Sequence, residues 1–309
     1  MSTVHRLPLL LTTLLLAASC SRSGQEGFST PEAAFDALAS AVEKNDKPAL
    51  QQLLGDGVDE LLDSGDAIQD AADRALFIKA YRARHAVQPN GDQRLLVVGD
   101  LEWPLPIPAV QRDGHWMLVC ETGAEELVYR RVGENELGAM AVARGFVEAQ
   151  KEYAAQGHDG DPAGIYAMKL VSDAGLQNGL YWETAENEPP SPAGAFLAAA
   201  ASEGYRTGDA ARTAGATTAP YHGYHYRMLF AQGSNANGGA REYFQDGLLT
   251  QGFALIAWPA EYGASGVMTF FVNQDGVVFQ QDLGETTSEA VDHINRFDPD
   301  SSWQKLPDL

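Results

Sequence analysis

Ala109-Val110-Gln111-Arg112-Asp113-Gly114-His115-Trp116-Met117-Leu118-Val119-Cys120 is the stretch on which the fold class turns. Two short apolar runs flank Asp113-Gly114, a pair suited to the positive φ angles of a two-residue hairpin turn. Ahead of it, Arg94 to Val98 and Leu101 to Trp103 also read as strands. Before these the apolar period is helical. Ser29-Thr30-Pro31-Glu32 is a helix start, with a hydroxyl cap, proline in the first turn and an acid near the positive end. Phe35, Leu38 and Val42 then recur at helical spacing to about Lys44. Asp46 is placed to cap a second helix ending at Gly55, and a third is expected from about Asp66 to Arg84. Helices followed by a meander of strands define an α+β arrangement.

Downstream, Glu134 to Ala155 is a long helix candidate, with Leu137, Met140, Ala141 and Val147 on one face and Val142, Phe146 and Tyr153 on another. Glu134 and Glu136 are expected to serve its positive start, with Arg130 and Arg131 as their charge neighbours. Ala193 to Ser202 reads as a small-residue helix. From Tyr221 the reading is β: Tyr224, Tyr226, Met228 and Phe230 alternate, then Gly252 to Trp258, Val267 to Asn273, and Val277 to Gln281 after Asp275-Gly276. A last helix is expected over Thr287 to Phe297. The chain thus divides into a leader (1–19), a tether (20–27), an α+β domain (28–132) and a carboxyl-terminal α+β domain with a β-meander (133–309). The helices and meander of 28–132 resemble the cone-shaped nuclear-transport-factor-2-like fold, which implies a pocket in many members and no particular activity.

The leader has the parts of a secretory signal. His5 and Arg6 form a short basic head, and Leu7 to Ala18 is an apolar run. As a helix it would span roughly 18 Å, short of the ~30 Å hydrocarbon core. Leu16-Ala17-Ala18-Ser19-Cys20 resembles the lipobox of bacterial lipoproteins, with Ala17 where leucine is usual. Lipidation is therefore expected at Cys20. With Ser21 after it, that resemblance implies the periplasmic face of the outer membrane, with the lipid anchor as the only membrane contact. A chain without lipid would be periplasmic.

The chain carries 21 basic and 42 acidic residues, a net charge of −21. Such a balance repels nucleic acid and anionic headgroups, and no basic stripe offsets it. Cys120 is the second of two cysteines, so acylation of Cys20 excludes an intrachain disulfide. It reads as a buried thiol.

Several motifs give the chain away as a member of a family. They are Arg130-Arg131-Val132-Gly133-Glu134-Asn135-Glu136-Leu137, Gly179-Leu180-Tyr181-Trp182, Pro189-Pro190-Ser191-Pro192 and Pro220-Tyr221-His222-Gly223-Tyr224. The longest is Trp258-Pro259-Ala260-Glu261-Tyr262-Gly263, continued by Gly266-Val267-Met268-Thr269-Phe270 and Asn273-Gln274-Asp275-Gly276-Val277. Together they resemble the exported bacterial family of unknown function numbered 2950. The resemblance implies no activity, cofactor or catalytic residue. Tyr221 to Gly284 is also similar to the β module of pilin-like and pseudopilin-like proteins, without their hydrophobic prepilin helix.

Candidate sites are few. His222 and His225 are three apart, a spacing that sends strand side chains to opposite faces, and no metal site is expected there. His158-Asp159-Gly160-Asp161-Pro162-Ala163-Gly164 is similar to the start of a calcium loop, with Asp159 and Asp161 as weak ligand candidates. Ala163 and Leu170 fill positions where oxygen ligands belong. Tyr262-Gly263-Ala264-Ser265-Gly266 lacks the spacing of a nucleophile elbow, and Gly233 to Gly239 has no phosphate-loop lysine. No catalytic residue and no cofactor are expected. Tyr181, Trp182, Tyr221, Trp258 and Tyr262, with Tyr224, cluster at turns and are the candidate ligand-binding aromatics for a glycan or an envelope protein. Three functions stay open: a non-enzymatic envelope lipoprotein that binds or assembles, a hydrolase or other enzyme with a site built from distant residues, and an accessory component of a pilus or secretion apparatus.

Overall fold

A computed structural model describes residues 25, 27–55, 58–185, 187–195, 199, 200, 203, 205 and 219–307. Cys20 and nearly all of the tether lie outside these residues, as does much of the expected helix 193–202.

The chain is α+β. Helix α1 (Pro31–Lys44) is capped by Thr30, whose hydroxyl accepts from Ala33 N at 3.2 Å. Its end is closed by Asn45 in the left-handed region. Helix α2 (Lys47–Leu54) is capped by Asp46 and stopped by Gly55, whose positive φ of 90° suits glycine. A short α3 (Asp59–Leu62) precedes α4 (Ala67–Ala83). Phe35, Leu38, Leu50, Leu53, Leu54 and Ile78 pack from these helices onto Leu96, Ala109 and Leu118 of the first sheet.

That sheet runs β1-β2-β4-β5, with β3 also on β2: β1 (His85–Asn90), β2 (Gln93–Val98), β3 (Trp103–Pro104), β4 (Ala109–Arg112) and β5 (His115–Leu118). Asp113 and Gly114 have φ of 51° and 79°, both positive as a hairpin turn of this length requires. Pro89 sits in β1, at the sheet's edge, where a missing N–H costs no ladder bond.

Helix α5 (Glu121–Ala154) departs from the sequence expectation. It begins thirteen residues before Glu134, with Cys120 as its cap residue, buried beneath the first sheet. It contains Gly123 and Gly133, each of which costs about 1 kcal/mol relative to alanine inside a helix. Gly123 is there for space: a Cβ would stand 2.0 Å from Pro106 O. Glu134 and Glu136 therefore lie inside the helix, not at its start.

The second sheet has the order β14-β13-β12-β11-β6, all antiparallel: β6 (Tyr224–Leu229), β11 (Ala254–Pro259), β12 (Met268–Asn273), β13 (Phe279–Asp282) and β14 (Gln304–Lys305). Two small excursions, β7 (Ala231–Gln232) with β8 (Arg241–Glu242) and β9 (Phe244–Gln245) with β10 (Leu248–Leu249), fill the gap between β6 and β11. Helix α5 packs against β12 and β11, and α6 (Thr287–Asp292) also packs on β11. Covered strands need no polar face, so Leu255-Ile256-Ala257 and Phe270-Phe271-Val272 are buried on every residue. The final helix stops at Asp292, five residues short of Phe297, which instead turns inward against Phe271 at 5.6 Å. The strand after Asp275-Gly276 starts at Phe279, two residues late. No described helix is long and apolar enough to cross a membrane.

Candidate functional site

The motifs around Arg131, Gly223 and Val267 meet at a seam with the first helices. Arg131 donates to Ala264 O (3.0 Å), to Leu61 O (3.4 Å) and to Glu60 O, and faces Asp70 at 3.6 Å. Burial pulls its pKa down, and Asp70 and Asp73 oppose that pull. Asn135 Nδ2 donates to Ser265 O (2.9 Å), and Glu136 accepts from the backbone N–H groups of Val267 (3.1 Å) and Met268 (3.0 Å). Arg130 points elsewhere, pairing with Glu126 and lying over Trp103. Two of the charges read as helix-end partners, Arg131 and Glu136, thus tie α5 to residues 264–268.

Asp66 is the other fastener. Only 1% exposed, its carboxylate accepts from Ile68 N (3.2 Å) and Gln69 N (3.1 Å) at the start of α4. Its second oxygen accepts from Tyr205 OH (2.8 Å) and Gly223 N (3.0 Å). Gly223 has φ of 71°, and a Cβ there would stand 2.3 Å from Asn135 Nδ2.

The candidate aromatics fall into four places. Tyr181 bridges Val171, while Trp182 packs edge-on to Tyr153 at 6.3 Å, beside His158. Tyr221 lies against Tyr205 at 4.8 Å and precedes the turn His222-Gly223. Burial first, then Glu203, pushes its phenol up to about 12. Trp258, on β11, has the His225 ring 5.4 Å away and the Arg227 guanidinium 5.7 Å away. Tyr262 donates to Asp282 at 3.1 Å. Among the described residues no ring contact joins the four groups.

The remaining candidates are locally engaged. Asp159 accepts from Gln177 N at 2.7 Å, and Asp161 is exposed. His158 stacks on Tyr153 at 4.1 Å and contacts Gln177. His222 occupies the turn before β6, not the strand itself, and pairs with Glu203 at 3.0 Å. Ser265 is buried, its hydroxyl bonded to Glu261 O at 3.0 Å. Among the described residues no group of three or more His, Cys, Asp or Glu is arranged to hold a metal ion.

What the sequence did not single out is the outer edge of β6. Tyr224 N–H and C=O exchange bonds with Tyr221 (3.2 and 2.8 Å), so they point away from β11. On β11, Pro259 stands opposite Tyr224 and has no N–H to offer. Alternation then turns the main-chain groups of Tyr226, Met228 and Phe230 outward too, while His225, Arg227 and Leu229 bond β11. Phe230 O is taken by Tyr243 N (2.9 Å). The N–H and C=O of Tyr226 and Met228 have no partner among the described residues. Alongside runs a cleft of about 340 Å³, lined by Arg227 to Ala231 and walled by Glu242, Asn295 and Arg296.

The second antiparallel sheet is thus covered by α5 and α6, with β6 as an edge strand on which Tyr226 and Met228 carry outward main-chain groups. The chain belongs to the family described as "Protein of unknown function (DUF2950)", whose model matches residues 25–306. Comparison with curated proteins and with solved structures finds no match.

Proposed function

We propose that this is an exported envelope lipoprotein, anchored through Cys20, that binds a partner protein by accepting an extended segment along the free edge of β6. The observation carrying this is the set of four outward main-chain groups of Tyr226 and Met228 beside an open cleft. Unpaired edge groups are a template for strand addition, where main-chain bonds give affinity and flanking pockets give selectivity. Edges of this kind are normally blunted; here the free stretch is short and bracketed by Tyr221 and Tyr243. The seam residues Arg131, Asn135, Glu136 and Asp66 have their hydrogen bonds within the chain, which favours a scaffold role for that region.

Met228→Pro tests this reading. The substitution removes one outward N–H and no bond to β11, a placement proline tolerates at an edge. Purification of the lipidated protein from native envelope should recover the same partner repeatedly with wild type and not with folded Met228→Pro. Equal recovery with both would refute edge binding. Metabolic labelling with an alkyne fatty acid should mark wild type and not Cys20→Ser; equal labelling would refute the anchor.

A further inference from the structure

We infer that the segment received by β6 comes from a different protein and places an acidic residue opposite Arg227. This rests on the edge-binding reading above.

The geometry first disfavours a second copy. An antiparallel partner bonds its own outward groups to those of Tyr226 and Met228. Between two copies of this chain, the one register that uses all four free groups on each side is centred on Arg227. Any shift meets Tyr224, whose outward N–H and C=O are held by Tyr221, or Phe230, whose C=O is held by Tyr243. In the centred register Arg227 faces Arg227 of the other copy. It would do so in the non-hydrogen-bonded pair, where Cα atoms come closest, about 4.5 Å. Like charges directly opposite are destabilising, and two chains each carrying a net charge of −21 add long-range repulsion.

The same residue then selects what is accepted. Among the described residues Arg227 forms no ion pair. Its Nη2 donates to the carbonyls of Val291 (2.6 Å) and Ile294 (2.8 Å), at the end of α6, and its Nε is buried without an acceptor. The guanidinium is thereby fixed over Trp258, with no carboxylate against it. Arg296 lines the cleft and Arg241 lies on β8, the strand that also carries Glu242; Glu242 is 3.7 Å from Arg296. In an otherwise acidic chain this edge is locally basic. A charge that rejects self-pairing and rewards an acid is the usual pairing of repulsive and attractive elements in specificity.

The test uses the full chain and three labelled seven-residue peptides of alternating threonine and valine, with glutamate, glutamine or lysine at the centre. Fluorescence anisotropy should show the glutamate peptide binding about tenfold more tightly than the lysine peptide, with glutamine between. Arg227→Gln keeps a donor for the α6 carbonyls and removes the charge, so the preference should fall to within about twofold. Sedimentation should show a monomer. Failure of all three peptides to bind, equal or tighter binding of the lysine peptide, a preference unchanged in Arg227→Gln, or a dimer abolished by Met228→Pro would each overturn the inference. If Met228→Pro loses the envelope partner while the lysine peptide binds as well as the glutamate peptide, edge binding stands and acid selection falls. If Met228→Pro keeps that partner, edge binding itself falls.

Discussion

Replacing Asp66 by alanine should destabilise the protein by about 4 kcal/mol, and the sum can be traced to individual groups. The carboxylate caps α4 through Ile68 N and Gln69 N, an interaction whose loss costs about 1 kcal/mol. It also satisfies Gly223 N–H and Tyr205 OH in a buried setting. Each donor left unpaired there adds about 1–3 kcal/mol, taken as about 1.5 kcal/mol for each of the two. The natural control is Asp46→Ala. Asp46 caps α2 through Ala49 N in an exposed setting and bonds nothing else, so it should cost about 1 kcal/mol. Urea unfolding of both variants, with Tyr205→Phe and the double mutant, gives the comparison. The Asp66–Tyr205 coupling should be about 1–2 kcal/mol. Equal costs for Asp66→Ala and Asp46→Ala, or a coupling near zero, would refute the view that Asp66 fastens the two halves.

Two further expectations concern conditions and close packing. Phenols of Tyr153, Tyr221 and Tyr243 are pushed up to about 12, chiefly by burial, and those of Tyr205 and Tyr224 are raised further. A folded pKa above the unfolded value of 10 gives stability that is whole below pH 10 and lost as pH rises through 12 and beyond. The melting temperature should therefore fall from pH 10 upward, with phenolate absorbance appearing together with unfolding. Titration of all tyrosines near pH 10 in a folded chain would contradict this. Gly223→Ala should cost at least about 2 kcal/mol more than Gly91→Ala. Both positions have positive φ, but only Gly223 has Asn135 and Ser265 in the path of a Cβ. Thermal melts of the two variants decide it.

The α+β class, three of the first four helices and most of the long strands were legible because each rests on local rules: a cap, a period, an Asp-Gly turn. Helix α5 was begun thirteen residues late: its first turns include Gly123 and Gly133, poor helix formers that tertiary packing overrides. Gly123 answers to Pro106, which lies beyond the window of any local rule. Glu136 was assigned to a helix end for the same reason; its partners, Val267 and Met268, are more than 130 residues away. The β6 edge was invisible because edge or centre is a property of sheet order, which alternation in Tyr224 to Phe230 does not encode. One signal was present in retrospect: Arg227 on a strand otherwise rich in aromatic and aliphatic residues.

Amide hydrogen exchange along β6 tests the central claim most directly. The free protein should show alternation: slow exchange at His225, Arg227 and Leu229, whose N–H groups bond β11, and exchange faster by at least about a hundredfold at Tyr226 and Met228. Binding of the partner segment should slow those two amides and leave the other three nearly unchanged. Slow exchange at Tyr226 and Met228 in the free protein, or no change there on binding, would contradict the account.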